Sequence, residues 1–215
     1  MKCICLISSI KNGETINGAG FFCEIHDPDD DNKVLNVLFT CNHVLKINNE
    51  DDIRNIDKIE IQFNGIEKIP LNLNNRRIWY DIENKENNSE NLDYTCIEIN
   101  KEEIKDNKIQ LLTIEQNIMQ NYTQISYYKK KRQTIYICKK EKEQIRLSFD
   151  KAKINDDKNE KYFYYECNSV DGLSGVPILN KRNNVIGIHI KGEDNNSNIG
   201  IFIQNVLKDM KKKSH

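Results

Sequence analysis

The chain has no excess of charge of either sign. Its 32 lysines and arginines stand against 33 aspartates and glutamates, a formal net charge of −1. That balance argues against a broad electrostatic pull toward nucleic acid or an anionic membrane. The four basic residues Lys129 to Arg132 are too few to make a nucleic-acid face and fit a solvated hairpin tip. No apolar run approaches the roughly 20 residues of a membrane-spanning helix. Met1 to Ile10 has a short apolar piece with no small-residue cleavage site behind it, so it fits a strand better than a signal peptide. The seven cysteines are an odd number, scattered through strand-like runs. They argue against a disulfide framework and for reduced thiols in a cytoplasmic setting. Cys3-x-Cys5 and Cys41-x-His43 match no structural zinc spacing, so no metal and no cofactor is expected. The acidic run Asp27 to Asp31 lacks the glycine and closing glutamate of a calcium loop. Helical periodicity is sparse and no sequence repeat is visible.

What remains is a series of short apolar and β-branched runs separated by turn signals. In the first half they are Lys2–Ile10, Gly20–Ile25, Val34–Thr40, Lys58–Phe63, Ile66–Leu73, Arg77–Ile82 and Asp93–Ile99. In the second half they are Ile109–Ile114, Thr134–Cys138, Ile145–Phe149, Tyr162–Cys167, Val176–Leu179, Val185–Ile190 and Gly200–Ile203. Many short strands with intervening turns predict an all-β barrel or sandwich. The polar stretch Asn100–Asn107 suits a linker, which divides the chain into residues 1–107 and 108–215. Gln204–Lys213 places Val206, Leu207 and Met210 at helical spacing with lysines at its end, a closing helix whose basic end suits the macrodipole.

Against this background one stretch stands apart, Asp171-Gly172-Leu173-Ser174-Gly175-Val176-Pro177. A serine between glycines on a tight turn suits an exposed nucleophile, because glycine takes positive φ and lets a carbonyl approach. The N–H groups of Gly172 and Ser174 can converge on one oxygen as an oxyanion hole. A nucleophile of this kind needs a base and an orienting acid. Of the four histidines, His43 follows the strand end Leu38-Phe39-Thr40 and precedes the apolar pair Val44-Leu45, which places it partly buried and well held. Asp93 opens the apolar strand Asp93–Ile99, where a carboxylate can hold an imidazole's tautomer. A satisfied core histidine and a strand-edge turn residue are the plain alternatives for these two.

The order His, Asp, Ser is that of the chymotrypsin-like peptidases. Phe39-Thr40-Cys41-Asn42-His43-Val44-Leu45 resembles the histidine signature of trypsin-like peptidases. Gly18-Ala19-Gly20-Phe21-Phe22 resembles the glycine-rich strand that precedes it in compact bacterial-type members. Asp93–Ile99 resembles their aspartate-bearing strand, and Gly172–Pro177 is similar to their nucleophile motif. The resemblance implies two antiparallel six-stranded β-barrels with the site between them, residues 1–107 bearing His43 and Asp93 and residues 108–215 bearing Ser174. It implies a serine endopeptidase acting on a peptide or protein, with a possible regulatory partner. A catalytically silent peptide-binding module and an esterase on the same fold are the competing functions. Leu173 stands where zymogen members carry an aspartate, and no activation sequence precedes Lys2, so no zymogen step is expected. Ile190 replaces the serine that often supports the buried aspartate. Val185–Gly192 resembles the Gly-x-His-x-x-Gly strand of glutamyl endopeptidases and several viral chymotrypsin-like proteases. By that likeness His189 and Ser169 line the S1 pocket and contact a Glu or Gln side chain at P1. One residue of strand register would turn His189 away.

Overall fold

The computed structural model describes residues 2–47, 49–63, 68–81, 91–115, 134–141, 144–155, 161–166, 172–192 and 197–213. Strand-forming runs in the first half pair as antiparallel neighbours around a long hairpin. Its two arms are β2 (Glu14–Asp27) and β3 (Asp30–Cys41), and β1 (Ile4–Lys11) lies against β2. The sheet continues through β4 (Lys58–Gln62), β5 (Ile69–Pro70), β6 (Ile78–Tyr80) and β7 (Tyr94–Glu98). Its order is β5-β4-β1-β2-β3-β7-β6, so among the described residues it has seven strands where the resemblance implies six. The additional one, β5, is a two-residue pairing of Ile69 and Pro70 with Ile61 and Glu60.

The second half forms a closed six-stranded barrel, β10-β13-β12-β11-β8-β9. Its strands are β8 (Thr134–Glu141), β9 (Gln144–Asn155), β10 (Tyr162–Glu166), β11 (Pro177–Leu179), β12 (Val185–Gly192) and β13 (Ser197–Phe202). Phe163 and Phe202 meet at 4.5 Å between ring centroids in its interior. The expected strand Ile109–Ile114 is instead a strap between the halves. Leu112 N–H donates to Phe22 O at 2.8 Å, and Val185 N–H donates to Thr113 O at 2.8 Å. The Gly18–Cys23 stretch of β2 is continuously buried, between a largely exposed start at Glu14–Asn17 and an alternating end at Glu24–Asp27. The strap and the Ser174 turn both bond to the backbone of that stretch, so its edges are taken up where the pairing with β1 and β3 runs out.

Among the described residues three short helices interrupt the first half: α1 (Asn42–Leu45), α2 (Glu50–Arg54) and α3 (Lys101–Asp106). The stretch expected as a linker is therefore partly helical. Asn100 and Glu103 form a capping box that satisfies the first turn of α3. No residue of α3 is buried, so it has no apolar stripe for a periodicity reading to find. The closing helix α4 (Ile203–Lys213) forms as predicted and buries Val206 and Met210. Cys3, Cys5, Cys23, Cys41, Cys96 and Cys138 are all free and buried, and among the described residues no helix is long and apolar enough to cross a membrane.

Candidate active site

His43 sits on α1, and its seat is rigid for local reasons. Asn42, Val44 and Leu45 on either side are buried. Lys46 ends the helix in the left-handed region at φ +52°, and its N–H donates to Asn42 O. The Val44 carbonyl, left unpaired by so short a helix, accepts from buried Ser9 Oγ at 2.5 Å. The imidazole itself is 47% exposed at the end of β3. Asp93 reaches it from the start of β7. Its Oδ2 lies 2.6 Å from His43 Nδ1, and its Oδ1 accepts from the His43 backbone N–H at 2.9 Å. The carboxylate is thereby fixed in orientation by one residue through two bonds.

Ser174 comes to the same seam from the second half. Val176 N–H donates to Leu173 O at 3.0 Å, closing a tight turn with Gly172 at φ +83° and Gly175 at φ +96°. Leu173, in the position an activating aspartate would take, is buried. Ser174 O accepts from Ala19 N–H at 2.8 Å. Beside it, a Cβ added to Gly18 would stand 2.4 Å from Val44 Cγ2 and 3.2 Å from Ser174 O. Glycine at 18 is thus what lets the serine turn pack next to the helix bearing His43. Among the described residues no hydrogen bond joins Ser174 Oγ to His43.

His189 lies on β12 and is 4% exposed. A β-bulge falls between His189 and Lys191, which pair with Gly200 and Ile199 respectively, leaving Ile190 as the extra residue. Bulges of this kind re-aim side chains beside functional sites. The His189 carbonyl accepts from Gly175 N–H at 2.8 Å and from Cys41 Sγ at 3.2 Å, so β12 is tied to both the serine turn and β3. Its Nδ1 lies 2.5 Å from Tyr165 Oη. Tyr165 was not among the expected site residues. The signal for it was a tyrosine at an inward position of a strand, since a buried phenol needs a partner for its hydroxyl. Ser169 and the basic run 129–132 lie outside the described residues.

Burial, and then the charge of His43, lower the His189 pKa to about 4. The consequence for stability has a definite sign. Between pH 4 and 6.5 the unfolded chain binds the proton and the folded chain does not, so stability rises with pH across that window and is lost as pH falls through it. The expected size is about 3 kcal/mol. Urea unfolding at pH 4.5 and pH 7 should show a steeper dependence for the parent protein than for His189→Gln. Equal steepness would count against a neutral buried His189.

Cys41 Sγ, a ring nitrogen of His43 and a carboxylate oxygen of Asp93 all lie within 4.8 Å of one another. Burial pushes the Cys41 thiol well above its ordinary value, and its proton is given to the His189 carbonyl. A metal needs the thiolate, so this trio is a poor fit for a metal.

No family model and no curated protein matches this sequence. Solved structures do match its fold. The catalytically inactive tobacco etch virus protease complexed with substrate is 15% identical, with 96% of this chain and 81% of that chain covered at a TM-score of 0.58. A protease from M. tuberculosis in its active form is 10% identical, with 97% and 79% covered at 0.61. The serine protease of a human pathogenic astrovirus is 16% identical, with 94% and 89% covered at 0.53. Two antiparallel β-units joined at the seam of β2, β12 and the Ser174 turn, closed by a C-terminal helix, give this chain the chymotrypsin-like fold.

Proposed function

We propose that the chain is a serine endopeptidase. Ser174 Oγ attacks the scissile carbonyl, His43 takes the hydroxyl proton and returns it to the leaving amine, and Asp93 holds the imidazole. The N–H groups of Gly172 and Ser174 receive the oxyanion. Water then cleaves the acyl-enzyme by the same proton path in reverse. The observation that carries this reading is the pair of hydrogen bonds that the Asp93 carboxylate accepts from His43, one from its backbone N–H and one from its ring, which favours the Nδ1–H tautomer and leaves Nε2 as the base. The open Ser174–His43 geometry is compatible with it, since catalytic hydrogen bonds often tighten only when substrate is bound. A neighbour in fold is complexed with substrate, which supports a peptide in the same cleft. Buried free thiols fit a reducing compartment such as the cytoplasm.

The same reading extends to P1. In this reading His189 contributes to the S1 pocket, and with the Tyr165 hydroxyl as donor to His189 Nδ1, 2.5 Å away, the ring proton sits on Nε2 as a donor for the substrate. A ring held uncharged down to about pH 4 offers a hydrogen bond without a cation. That favours the amide oxygen of Gln over the carboxylate of Glu, which pays more for desolvation.

The test is digestion of a peptide library with every residue at P1, run beside fluorophosphonate labelling and peptide mapping. Labelling at Ser174 and cleavage after Gln, with Glu second, are expected. The preference over Leu or Ala should be roughly 10–100-fold, falling in Tyr165→Phe and lost in His189→Ala. Dominant cleavage after Lys, Arg or Phe, or an unchanged His189→Ala profile, would remove the pocket assignment. Ester hydrolysis without peptide cleavage, or no labelling at all, would remove the peptidase.

A further inference from the structure

Asp93 adopts a left-handed backbone, φ +52°. A non-glycine residue persists there when its surroundings fix it. What fixes it comes largely from the other half of the molecule. Two residues before it, the Asn91 carbonyl accepts from Tyr162 Oη of β10. The Asn91 side chain in turn accepts from Asp93 N–H at 2.9 Å. One residue after it, Tyr94 is fully buried and its hydroxyl donates to Asp209 Oδ2 of α4 at 2.7 Å.

The last turn of α4 completes the grip. Lys213 Nζ lies 2.6 Å from Asp209 Oδ2 and 3.1 Å from Asp81 Oδ1. It also donates to Tyr80 O at 2.8 Å and stands 5.5 Å from the centre of the Tyr94 ring. Asp81 passes the tie inward. Its Oδ2 accepts from Leu92 N–H at 2.5 Å, and its carbonyl accepts from Asn42 Nδ2 at 3.2 Å. Asn42 is the residue before His43. Its N–H donates to Asp93 O at 3.1 Å, and its Oδ1 accepts from Thr95 Oγ1 at 3.1 Å. A continuous set of bonds therefore runs from the end of the chain's closing helix to both members of the His43–Asp93 pair.

We propose that Asp209 and Lys213 of α4, acting through Tyr94 and Asp81, are positioning residues that hold Asp93 against His43. This rests on the peptidase reading for its effect on rate, but the geometry it describes is measurable without catalysis. A helix that merely covered an apolar face would need Val206 and Met210 and nothing polar at its tip.

The full chain is tested as Tyr94→Phe, Asp209→Asn, Lys213→Met and Lys213→Arg. In hydrolysis, kcat should fall about 10–100-fold for the first three with KM little changed, because misplacement by about 1 Å costs about that much. Lys213→Arg should keep most of the rate. Each variant is also made with Ser174→Ala, and the downfield Nδ1 proton resonance of His43 is recorded. It should be strong in Ser174→Ala alone and in the Lys213→Arg pair, and weakened or lost with the other three. If Tyr94→Phe fails to fold, Asp209→Asn, a partly exposed change of similar shape, carries the test. Retention of both kcat and the resonance, with only the melting temperature lowered, would reduce α4 to a structural cover. Absence of the resonance from Ser174→Ala alone would also overturn the proposal. Should the parent show the resonance but no hydrolysis, the peptidase reading fails while the resonance series still decides the positioning.

Discussion

Ser174→Ala is expected to lower peptide hydrolysis by about six orders of magnitude while leaving the fold intact. The change removes one hydroxyl from a partly exposed side chain. The backbone of residue 174, which accepts from Ala19 N–H at 2.8 Å, is untouched. With no nucleophile the acyl-enzyme route closes, and what survives is the contribution of binding and the oxyanion hole. Asp93→Asn should cost less, about four orders of magnitude. An amide has one acceptor where the carboxylate offers two, and it cannot accept from both His43 N–H and Nδ1–H as Asp93 does. Its NH2 turned toward Nδ1 would push the ring proton to Nε2 and remove the base. Rates are measured on a peptide with Gln at P1, with circular dichroism to verify folding. Hydrolysis by Ser174→Ala equal to that of the parent would end the proposed mechanism. Asp93→Asn at parental rate would remove the aspartate from it.

The parts of the candidate site that the sequence could nominate were those whose chemistry is local. Val44 and Leu45 beside His43, and Gly172 and Gly175 around Ser174, constrain their own turns, so residue type and order were enough to single them out. Strand positions followed from burial in the same way, and β8, β10 and β11 lie close to their expected bounds. What was not legible depends on contacts between distant segments. The bulge after His189 is set by its pairing with β13, and no pattern within Val185–Gly192 announces it. Tyr165 finds its partner 24 positions away. Helix α3 escaped because its stability comes from a capping box and from Arg76, which bonds both carboxylate oxygens of Glu103 at 2.8 and 2.6 Å, and not from an apolar face. The strap at residues 109–115 has strand-like composition because its apolar residues pack between the halves, with Ile109 and Ile114 buried, yet among the described residues its only β-pairing is the isolated bridges Cys23–Leu112 and Ile114–Val185.

Gly175→Ala is expected to unfold much of the seam between the halves, since its added methyl runs into the backbone of β2. An added Cβ would lie 2.1 Å from Ala19 O and 2.9 Å from Thr40 Oγ1, and the backbone there is at φ +96°. Relief by a small shift is blocked on each side. Ala19 O already accepts from Thr40 Oγ1 at 2.8 Å, and Ala19 N–H donates to Ser174 O at 2.8 Å. Gly175 N–H is committed to His189 O at 2.8 Å. To make room, the serine turn must leave β2, which separates Ser174 from the His43 helix and breaks the bond that holds β12. The loss should exceed about 4 kcal/mol, the extreme end of single substitutions. Gly13→Ala is the control. Gly13 has φ +77° but nothing within 4 Å of an added Cβ, so only the left-handed backbone is penalised, at about 1–2 kcal/mol. Urea unfolding of the two variants beside the parent separates the two costs. Similar midpoints for Gly13→Ala and Gly175→Ala would mean that the seam at Ala19 yields easily, and that the close approach of the Ser174 turn to β2 is not what holds the two halves together.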